Sequence, residues 1–276
     1  MEQLLAKLKL ARIREVYPHW LDKAAKEQMS YSQFLEGLLS EEVVARSENQ
    51  TQRRMKSADF PFEKTIEQFD FSFRPELKRQ VILNCMDPTF IHRGKSLVLI
   101  GPPGVGKTHL AIAIGIKLIQ IGLTVKFSLA QKLINEYLSL TENSEREKFL
   151  NSLAKVDLLI IDEFGYLPHS QQIGPLFYQI IACRYEKKST IITSNKGLPA
   201  WAAVLHDSSL AAALIDRLMH AERGVRHAIS AHGEVFYLSG ESYRLRGKQK
   251  YLSGNLAESG SQQGTSQTQG GDTDSN

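Results

Sequence analysis

The hydrophobic pattern of the chain changes character along its length. From residue 80 onward, short apolar runs alternate with amphipathic segments of helical period, and four runs predict strands at residues 97–100, 125–128, 158–162 and 190–194. These runs are apolar at consecutive positions, which is typical of strands covered by helices on both faces. Alternation of strand and helix favours a parallel sheet with right-handed crossovers. We therefore expect an α/β fold.

Before residue 57 the pattern is helical throughout. Leu4, Leu5, Leu8 and Ala11 share one helical face, and Ser30-Tyr-Ser-Gln33 predicts a capping box that opens a second helix. Apolar residues then recur at the spacing of one helix face, namely Tyr31, Phe34, Leu35, Leu38, Leu39 and Val43. Residues 1–56 are predicted to be a helical N-terminal domain, too small to bury a large core alone.

A linker is predicted at residues 57–79, which contain five phenylalanines and two prolines but no helical period. Its rings either flank a bound base or pin the linker to the next domain, and the second interpretation is favoured. The main domain is predicted at residues 80–250. Residues 251–276, rich in Ser, Gly and Gln, are predicted to be a disordered tail.

Composition narrows the classes of protein. The chain has 276 residues, of which 42% are hydrophobic and 23% charged, as in ordinary soluble proteins, and its apolar runs are far too short to span a bilayer. We expect a cytoplasmic protein without a membrane partner. Cys85 and Cys183 stand far apart, so neither a disulfide framework nor a zinc site is indicated. The net charge is +4, and it becomes +7 without the acidic tail from residue 253, which permits but does not establish a nucleic-acid partner.

A complete phosphate-binding motif follows the first predicted strand. The sequence GPPGVGKT fits G-x-x-x-x-G-K-[ST] and precedes a helix predicted at residues 109–119. Backbone N–H groups of such a loop face phosphate oxygens at the positive end of a helix dipole, Lys107 reaches the β- and γ-phosphates, and Thr108 holds Mg²⁺. The predicted ATP-binding residues are Gly101, Pro102, Pro103, Gly104, Val105, Gly106, Lys107, Thr108 and His109.

Two adjacent carboxylates end the strand at residues 158–162. Asp162 is predicted to hold Mg²⁺ through water, and Glu163 to polarise a water directed at the γ-phosphate. The strand at residues 125–128 is expected to separate this strand from the one before the phosphate loop, as suits hydrolases that use a strand-end glutamate. Because no arginine-rich lid is found, a small-molecule kinase is a minor alternative.

Three further features have two interpretations each. Asn195 ends the strand at residues 190–194 and either orients the attacking water or begins a turn. Arg217, near the end of a helix predicted at residues 210–220, either reaches a neighbouring subunit's γ-phosphate or stabilises its own helix end. Arg244, Arg246, Lys248 and Lys250 either track a phosphate backbone or form a solvated terminus, which is favoured.

Taken together, five segments of the chain resemble the IstB-like ATP-binding proteins, which are helper ATPases encoded beside insertion-sequence transposases. These segments are GPPGVGKTHLA, LLIIDEFGYLP, STIITSN, LAAALIDRLMH and GESYRLR. The similarity covers about residues 1–250 and extends to DnaC-type helicase loaders. It implies an AAA+ ATPase domain behind the helical domain, with Asn195 as sensor 1 and Arg217 as arginine finger. Catalytic roles are then expected for Lys107, Glu163, Asn195 and Arg217, and metal binding for Thr108 and Asp162.

The resemblance also implies partners. Mg-ATP is expected at the interfaces of a homo-oligomer that assembles on double-stranded DNA through sequence-independent backbone contacts and presents the DNA to a transposase. The principal alternative is a replicative-helicase loader that favours single strands. A nucleotide-gated DNA scaffold with little turnover is a further alternative, and the presence of Glu163 beside Asp162 argues against it.

Overall fold

In the part of the chain that the structure describes, five short strands form a central sheet, and the predicted apolar runs account for four of them. The computed structural model describes residues 1–73, 77–168, 170, 172–219 and 233–239. All strand pairs are parallel, in the order β2-β3-β4-β1-β5. The strands are β1 (Ser96–Ile100), β2 (Val125–Leu129), β3 (Leu158–Asp162), β4 (Ser189–Ser194) and β5 (Gly233–Tyr237). The fifth strand lies beyond the four predicted ones.

Helices cover both faces of the sheet, which explains why the central strands are apolar at consecutive positions. The helices are α1 (Glu2–Lys7), α2 (Ala11–Glu27), α3 (Tyr31–Ala58), α4 (Arg79–Asn84), α5 (Pro88–His92), α6 (Lys107–Gln120), α7 (Ala130–Ser139), α8 (Asn143–Lys155), α9 (Ile173–Arg184), α10 (Trp201–Leu205) and α11 (Ser208–Met219). Helix α6 packs in the core on one face, with residues such as Leu97 and Ile160. Helices α9 and α11 pack in the core on the other, with residues such as Val98 and Ile161.

The strand order corrects one expectation. Strand β4 pairs with both β1 and β3, so it is β4 and not β2 that separates the strand before the phosphate loop from the strand that ends in Asp162. Strand β2 lies at the edge of the sheet beside β3. The chain places the two motif strands on either side of a strand that follows both in sequence, which no local pattern encodes.

The N-terminal region is helical, as predicted, but its helices have other bounds and their apolar faces are used differently. The capping box of Ser30 and Gln33 is present. The expected common face of Leu4, Leu5, Leu8 and Ala11 does not form, because α1 ends at Lys7 and α2 begins only at Ala11. In this group Leu5 is buried whereas Leu4 and Leu8 are exposed.

On α3, Leu38 is buried and Phe34 partly so, but Tyr31, Leu35, Leu39 and Val43 are exposed. A carboxylate occupies part of the buried face, because Glu42 accepts hydrogen bonds from the backbone N–H groups of Arg12 and Ile13 at 2.9 and 3.1 Å. These N–H groups belong to the first turn of α2, which has no side-chain cap of its own. Glu42 therefore anchors α2 on α3.

Helix α3 joins the N-terminal helices to the sheet. It continues to Ala58, two residues beyond the predicted boundary, and Asp59 follows it in a left-handed conformation. The Asp59 carboxylate lies 3.4 Å from Nζ of Lys126 on β2 and 2.8 Å from Nζ of Lys132 on α7. The linker then runs over α6 and forms two short 3₁₀ turns, Ile66–Gln68 and Phe71–Phe73.

Candidate functional site

The phosphate-loop motif lies between β1 and α6, where the sequence predicts it. Gly104 and Gly106 have φ values of +82° and +101°, which side chains strongly disfavour. A Cβ at Gly106 would also lie 2.7 Å from Cε2 of Phe69. The backbone N–H groups in the first turn of α6 point toward this loop, a geometry that binds anions.

Lys107 is folded over the loop that precedes it. Its ammonium group donates to the carbonyl oxygens of Gly101 and Pro102 at 2.7 and 2.8 Å. The charge is therefore held above the loop, where a polyphosphate would lie.

Oxygen ligands suited to a small hard cation meet beside the loop. Thr108 donates its hydroxyl to Asp162 at 2.9 Å from Oδ1 and 3.2 Å from Oδ2, although the two residues are 54 positions apart. The Asp162 side chain is 3% exposed and lies at the carboxyl end of β3. A hydroxyl and a carboxylate at a phosphate loop are the oxygen donors that Mg²⁺ accepts while keeping several waters. The residues present therefore fit this ion.

Glu163 is exposed and has the left-handed φ of +60°, which is uncommon outside glycine. Neighbouring contacts hold this turn. The backbone N–H of Glu163 donates to the Thr193 hydroxyl at 3.1 Å, and that of Phe164 donates to the Thr193 carbonyl at 2.8 Å. Phe164 itself is buried against Trp201, with ring centroids 4.5 Å apart. The Glu163 carboxylate is thus presented to solvent from a fixed backbone.

Asn195 follows β4 and so lies between the ends of β1 and β3. Its Oδ1 atom is buried and has no hydrogen-bond partner in the part of the chain that the structure describes. The turn after β4 is instead made by Ser194, whose hydroxyl accepts from the N–H of Lys196 at 3.0 Å. A buried polar atom without a partner is costly, and such an atom is explained by strain, by a bound water or ion, or by a catalytic role. The Asn195 amide oxygen therefore takes no part in this turn, and its role in orienting water stays a prediction.

The aromatic linker covers the outer side of the phosphate loop. A cavity of about 570 Å³ lies between them and is lined by Phe62, Phe69, Gly104, Gly106, Lys107 and His109, among others. Phe69 is buried and meets the His109 ring edge-on at a centroid distance of 5.3 Å, whereas Phe62 is 40% exposed. The linker therefore both packs on the domain and lines a cavity next to the loop.

His109 fastens the linker to α6. Its Nε2 lies 2.9 Å from the carbonyl oxygen of Thr65, to which a protonated Nε2 donates. Burial lowers the pKa of His109, so the neutral imidazole is favoured. A second cavity, of about 390 Å³, borders Thr108, Asp162 and Glu163 and extends to Phe62 and Lys132.

Arg217 lies at the opposite end of the sheet. Its guanidinium stacks on Tyr178, with Cζ 4.6 Å from the ring centroid, and donates to the carbonyl of Ala213 at 3.1 Å. Arg217 lines a small cavity together with Ser96, the first residue of β1. The phosphate loop follows Ile100, the last residue of β1. At 3.3 Å per residue, the two ends of this strand are about 13 Å apart. The structure therefore does not bring Arg217 to the phosphate loop of its own chain.

Sequence reasoning missed one residue of this site, Thr193, and left two interpretations open for the linker ring of Phe69. Thr193 links β4 to the turn after β3, and Phe69 packs on Gly106. A hydroxyl residue near the carboxyl end of a central strand was the available signal for Thr193. Arg244 and the basic alternation around it lie outside the described residues, as does the predicted tail.

The chain is similar in sequence to several known proteins along most of its length. The model of the family described as IstB-like ATP binding protein matches residues 3–251. An insertion sequence IS21 ATP-binding protein of Pseudomonas aeruginosa is 38% identical over 250 residues, which are 91% of this chain and 90% of that protein. An insertion sequence IS5376 ATP-binding protein of Geobacillus stearothermophilus is 37% identical over 242 residues, which are 88% and 92% of the two chains.

Solved structures share the fold at lower identity. A DNA replication initiation factor matches with a TM-score of 0.53 and 20% identity over 71% of this chain and 55% of its own. DnaA from Aquifex aeolicus bound to AMPPCP matches with a TM-score of 0.52 and 20% identity over 72% and 56%. These matches confirm the expected α/β fold, with a parallel sheet flanked by helices. Among the described helices, none is both long and apolar enough to cross a membrane.

Proposed function

This chain belongs to the IstB-like ATP-binding protein family, and from that premise we propose that it is a Mg²⁺-dependent helper ATPase of DNA transposition. It binds ATP in the loop of residues 101–108, assembles on double-stranded DNA, and delivers that DNA to a transposase. The insertion-sequence names of its relatives support this context.

The observation that carries the ATPase proposal is the convergence of Thr108 and Asp162 beside the phosphate loop, with Glu163 next in the chain. The backbone N–H groups of the loop and Lys107 bind and orient the phosphates. Thr108 and Asp162 would hold Mg²⁺, which supplies neutralisation of phosphate charge. The exposed Glu163 carboxylate accepts a proton from the attacking water, and Asn195 orients that water.

Arg217 completes the site of a neighbouring subunit. Its position at the far end of β1 keeps it from the phosphate loop of its own chain. A subunit that packs end to end would direct it at the neighbour's γ-phosphate, where a guanidinium stabilises transition-state charge. Tyr178 and Ala213 keep the guanidinium half-buried beside the helix until that contact forms. ATP thereby couples hydrolysis to assembly.

Duplex DNA is the proposed nucleic-acid partner. The body before residue 253 has a formal charge of +7, which favours contacts to a phosphate backbone. Such binding is independent of DNA sequence. It weakens steeply as the salt concentration rises, because the release of counterions from the DNA then contributes less.

The experiment measures ATPase rate and particle mass with duplex DNA, single-stranded DNA or neither, at two salt concentrations. The comparison is between the wild type and Lys107→Ala, which removes the phosphate-binding charge. We expect the wild type to assemble and to hydrolyse ATP when duplex DNA is present. We expect Lys107→Ala to lose both activities. A clear preference for single strands would favour a helicase loader, and an assembly insensitive to every DNA would refute the role on DNA.

A further inference from the structure

Thr193 contacts both carboxylate residues at the end of β3. It lies on β4 and is 1% exposed. Its hydroxyl donates to Oδ1 of Asp162 and accepts from the backbone N–H of Glu163. Its carbonyl accepts from the N–H of Phe164. One residue of β4 therefore holds three consecutive residues of the neighbouring segment.

The hydrogen bonds of the Thr193 hydroxyl fix its orientation. A threonine hydroxyl has one hydrogen to donate and two lone pairs to accept with. The hydrogen is given to Asp162 and a lone pair is occupied by Glu163, so both partners fix its rotation. A valine of the same shape would leave the carboxylate oxygen and the N–H each with one partner fewer in a buried place.

The Glu163 backbone depends on such support. A φ of +60° is sparsely populated by residues with a side chain and persists where the surroundings hold it. The bond to Thr193 and the burial of Phe164 are two contacts that do so. If the first is lost, rotation at Glu163 redirects the carboxylate that this turn presents to solvent.

We propose that Thr193 is a positioning residue whose hydroxyl holds Asp162 in place for Mg²⁺ and Glu163 in place for the attacking water. The Glu163 part rests on the proposed ATPase function, whereas the Asp162 part concerns the binding of Mg²⁺-nucleotide alone. In this proposal Thr193 acts through the two carboxylate residues that it contacts.

The test compares Thr193→Val with Thr193→Ser, which restores the hydroxyl. Thr190→Val is the matched control, because Thr190 lies on the same strand, is 1% exposed, and uses its hydroxyl to accept from Nε of Arg184 at 3.1 Å. Its contact is at the other end of the strand from Asp162. Three quantities are measured for each variant: kcat, the Mg²⁺ concentration that half-saturates binding of a fluorescent ATP analogue, and the melting temperature.

Partners that orient metal ligands typically contribute 10- to 100-fold to metal affinity or activity. Thr193→Val is expected to lower kcat by about that factor and to raise the half-saturating Mg²⁺ concentration about tenfold. Thr193→Ser is expected to restore both, and Thr190→Val to change neither, even where it lowers the melting temperature. Should Thr193→Val not fold, Thr193→Ala removes the hydroxyl and leaves no methyl group in its place.

Unchanged kcat and Mg²⁺ requirement in Thr193→Val would overturn the proposal. Equal losses in Thr190→Val would also overturn it, because they would show a merely structural effect of strand β4. If the wild type binds the analogue with Mg²⁺ but hydrolyses no ATP, the proposed ATPase function fails, and the Mg²⁺ titration with rescue by serine still decides whether Thr193 positions Asp162.

Discussion

Gly165→Ala is expected to separate hydrolysis from nucleotide binding. Gly165 follows Phe164 in the turn after β3 and has a φ of +152°. A Cβ at this position would lie 2.5 Å from Oδ1 of Asn195 and 3.2 Å from Oγ of Ser194. Since real contacts of a Cβ are essentially never closer than 3.0 Å, the Asn195 amide or the turn must move by about 0.5 Å or more.

The size of the effect follows from that displacement. On the proposed function Asn195 orients the attacking water, and a misplacement of about 1 Å at a reacting centre costs about 10²-fold in rate. We expect kcat to fall by about 30- to 100-fold. The phosphate loop does not include the displaced atoms, so the dissociation constant of a non-hydrolysable ATP analogue should stay within about threefold.

Gly197→Ala is the matched control for this variant. Gly197 lies two residues after Asn195, has an ordinary φ of −65°, and would place a Cβ no closer than 3.7 Å, from Cδ of Pro199. Steady-state ATPase rates and analogue binding are measured for both variants with saturating DNA. A wild-type kcat in Gly165→Ala, or an equal loss in Gly197→Ala, would refute the reasoning that the position of the Asn195 amide limits hydrolysis.

Three further outcomes are expected. Arg217→Ala should reduce the ATPase rate of the assembled protein at least 10²-fold. Mixing this variant with Lys107→Ala should restore part of the rate, because one subunit of a mixed interface then supplies an intact Lys107 and the other an intact Arg217. A mixture without recovery would contradict action between subunits. Arg184→Met should lower the free energy of unfolding by about 3 kcal/mol in urea denaturation, because buried Arg184 donates to the carbonyls of Leu153, Val156 and Ser189; exposed Arg93→Met is the control, and equal losses contradict this account. Burial lowers the pKa of His109, so the unfolded chain binds the proton at higher pH than the folded chain does. The free energy of unfolding should therefore fall as the pH drops through the ordinary histidine range, and His109→Gln should flatten that decline. An unchanged slope of unfolding free energy against pH in His109→Gln would contradict this expectation.

The phosphate loop and the strand ends were accessible from sequence because short-range information specifies them. A buried strand must be apolar, and a phosphate loop must have glycine where φ is positive. The helix after the loop begins at Lys107, two residues before its predicted start. Strand β3 has the predicted bounds, β1 and β4 begin one residue earlier than predicted, and β2 ends one residue later. Each of these features is fixed by neighbours within a few positions.

The contacts that arrange the site were not accessible, because they join distant parts of the chain. The insertion of β4 between β1 and β3 depends on pairing of strands far apart in sequence. Thr193 acquires its importance only through this pairing, since its partner Asp162 is 31 positions away. The exposed side of α3 was misjudged for a related reason: helical period shows which residues share a face, but not how much of that face α1 and α2 cover.

The position of Arg217 indicates which surfaces of neighbouring subunits meet in the proposed assembly. The phosphate loop follows the carboxyl end of β1, and Arg217 borders the amino end of the same strand. An arginine that serves a neighbour's phosphate then requires contact between unlike ends of two sheets. Contacts between unlike surfaces are heterologous, and they repeat into closed rings or open filaments. On the proposed function, DNA length should therefore control particle mass when the assembly is an open filament, whereas a closed ring should keep one mass on every duplex long enough to hold it.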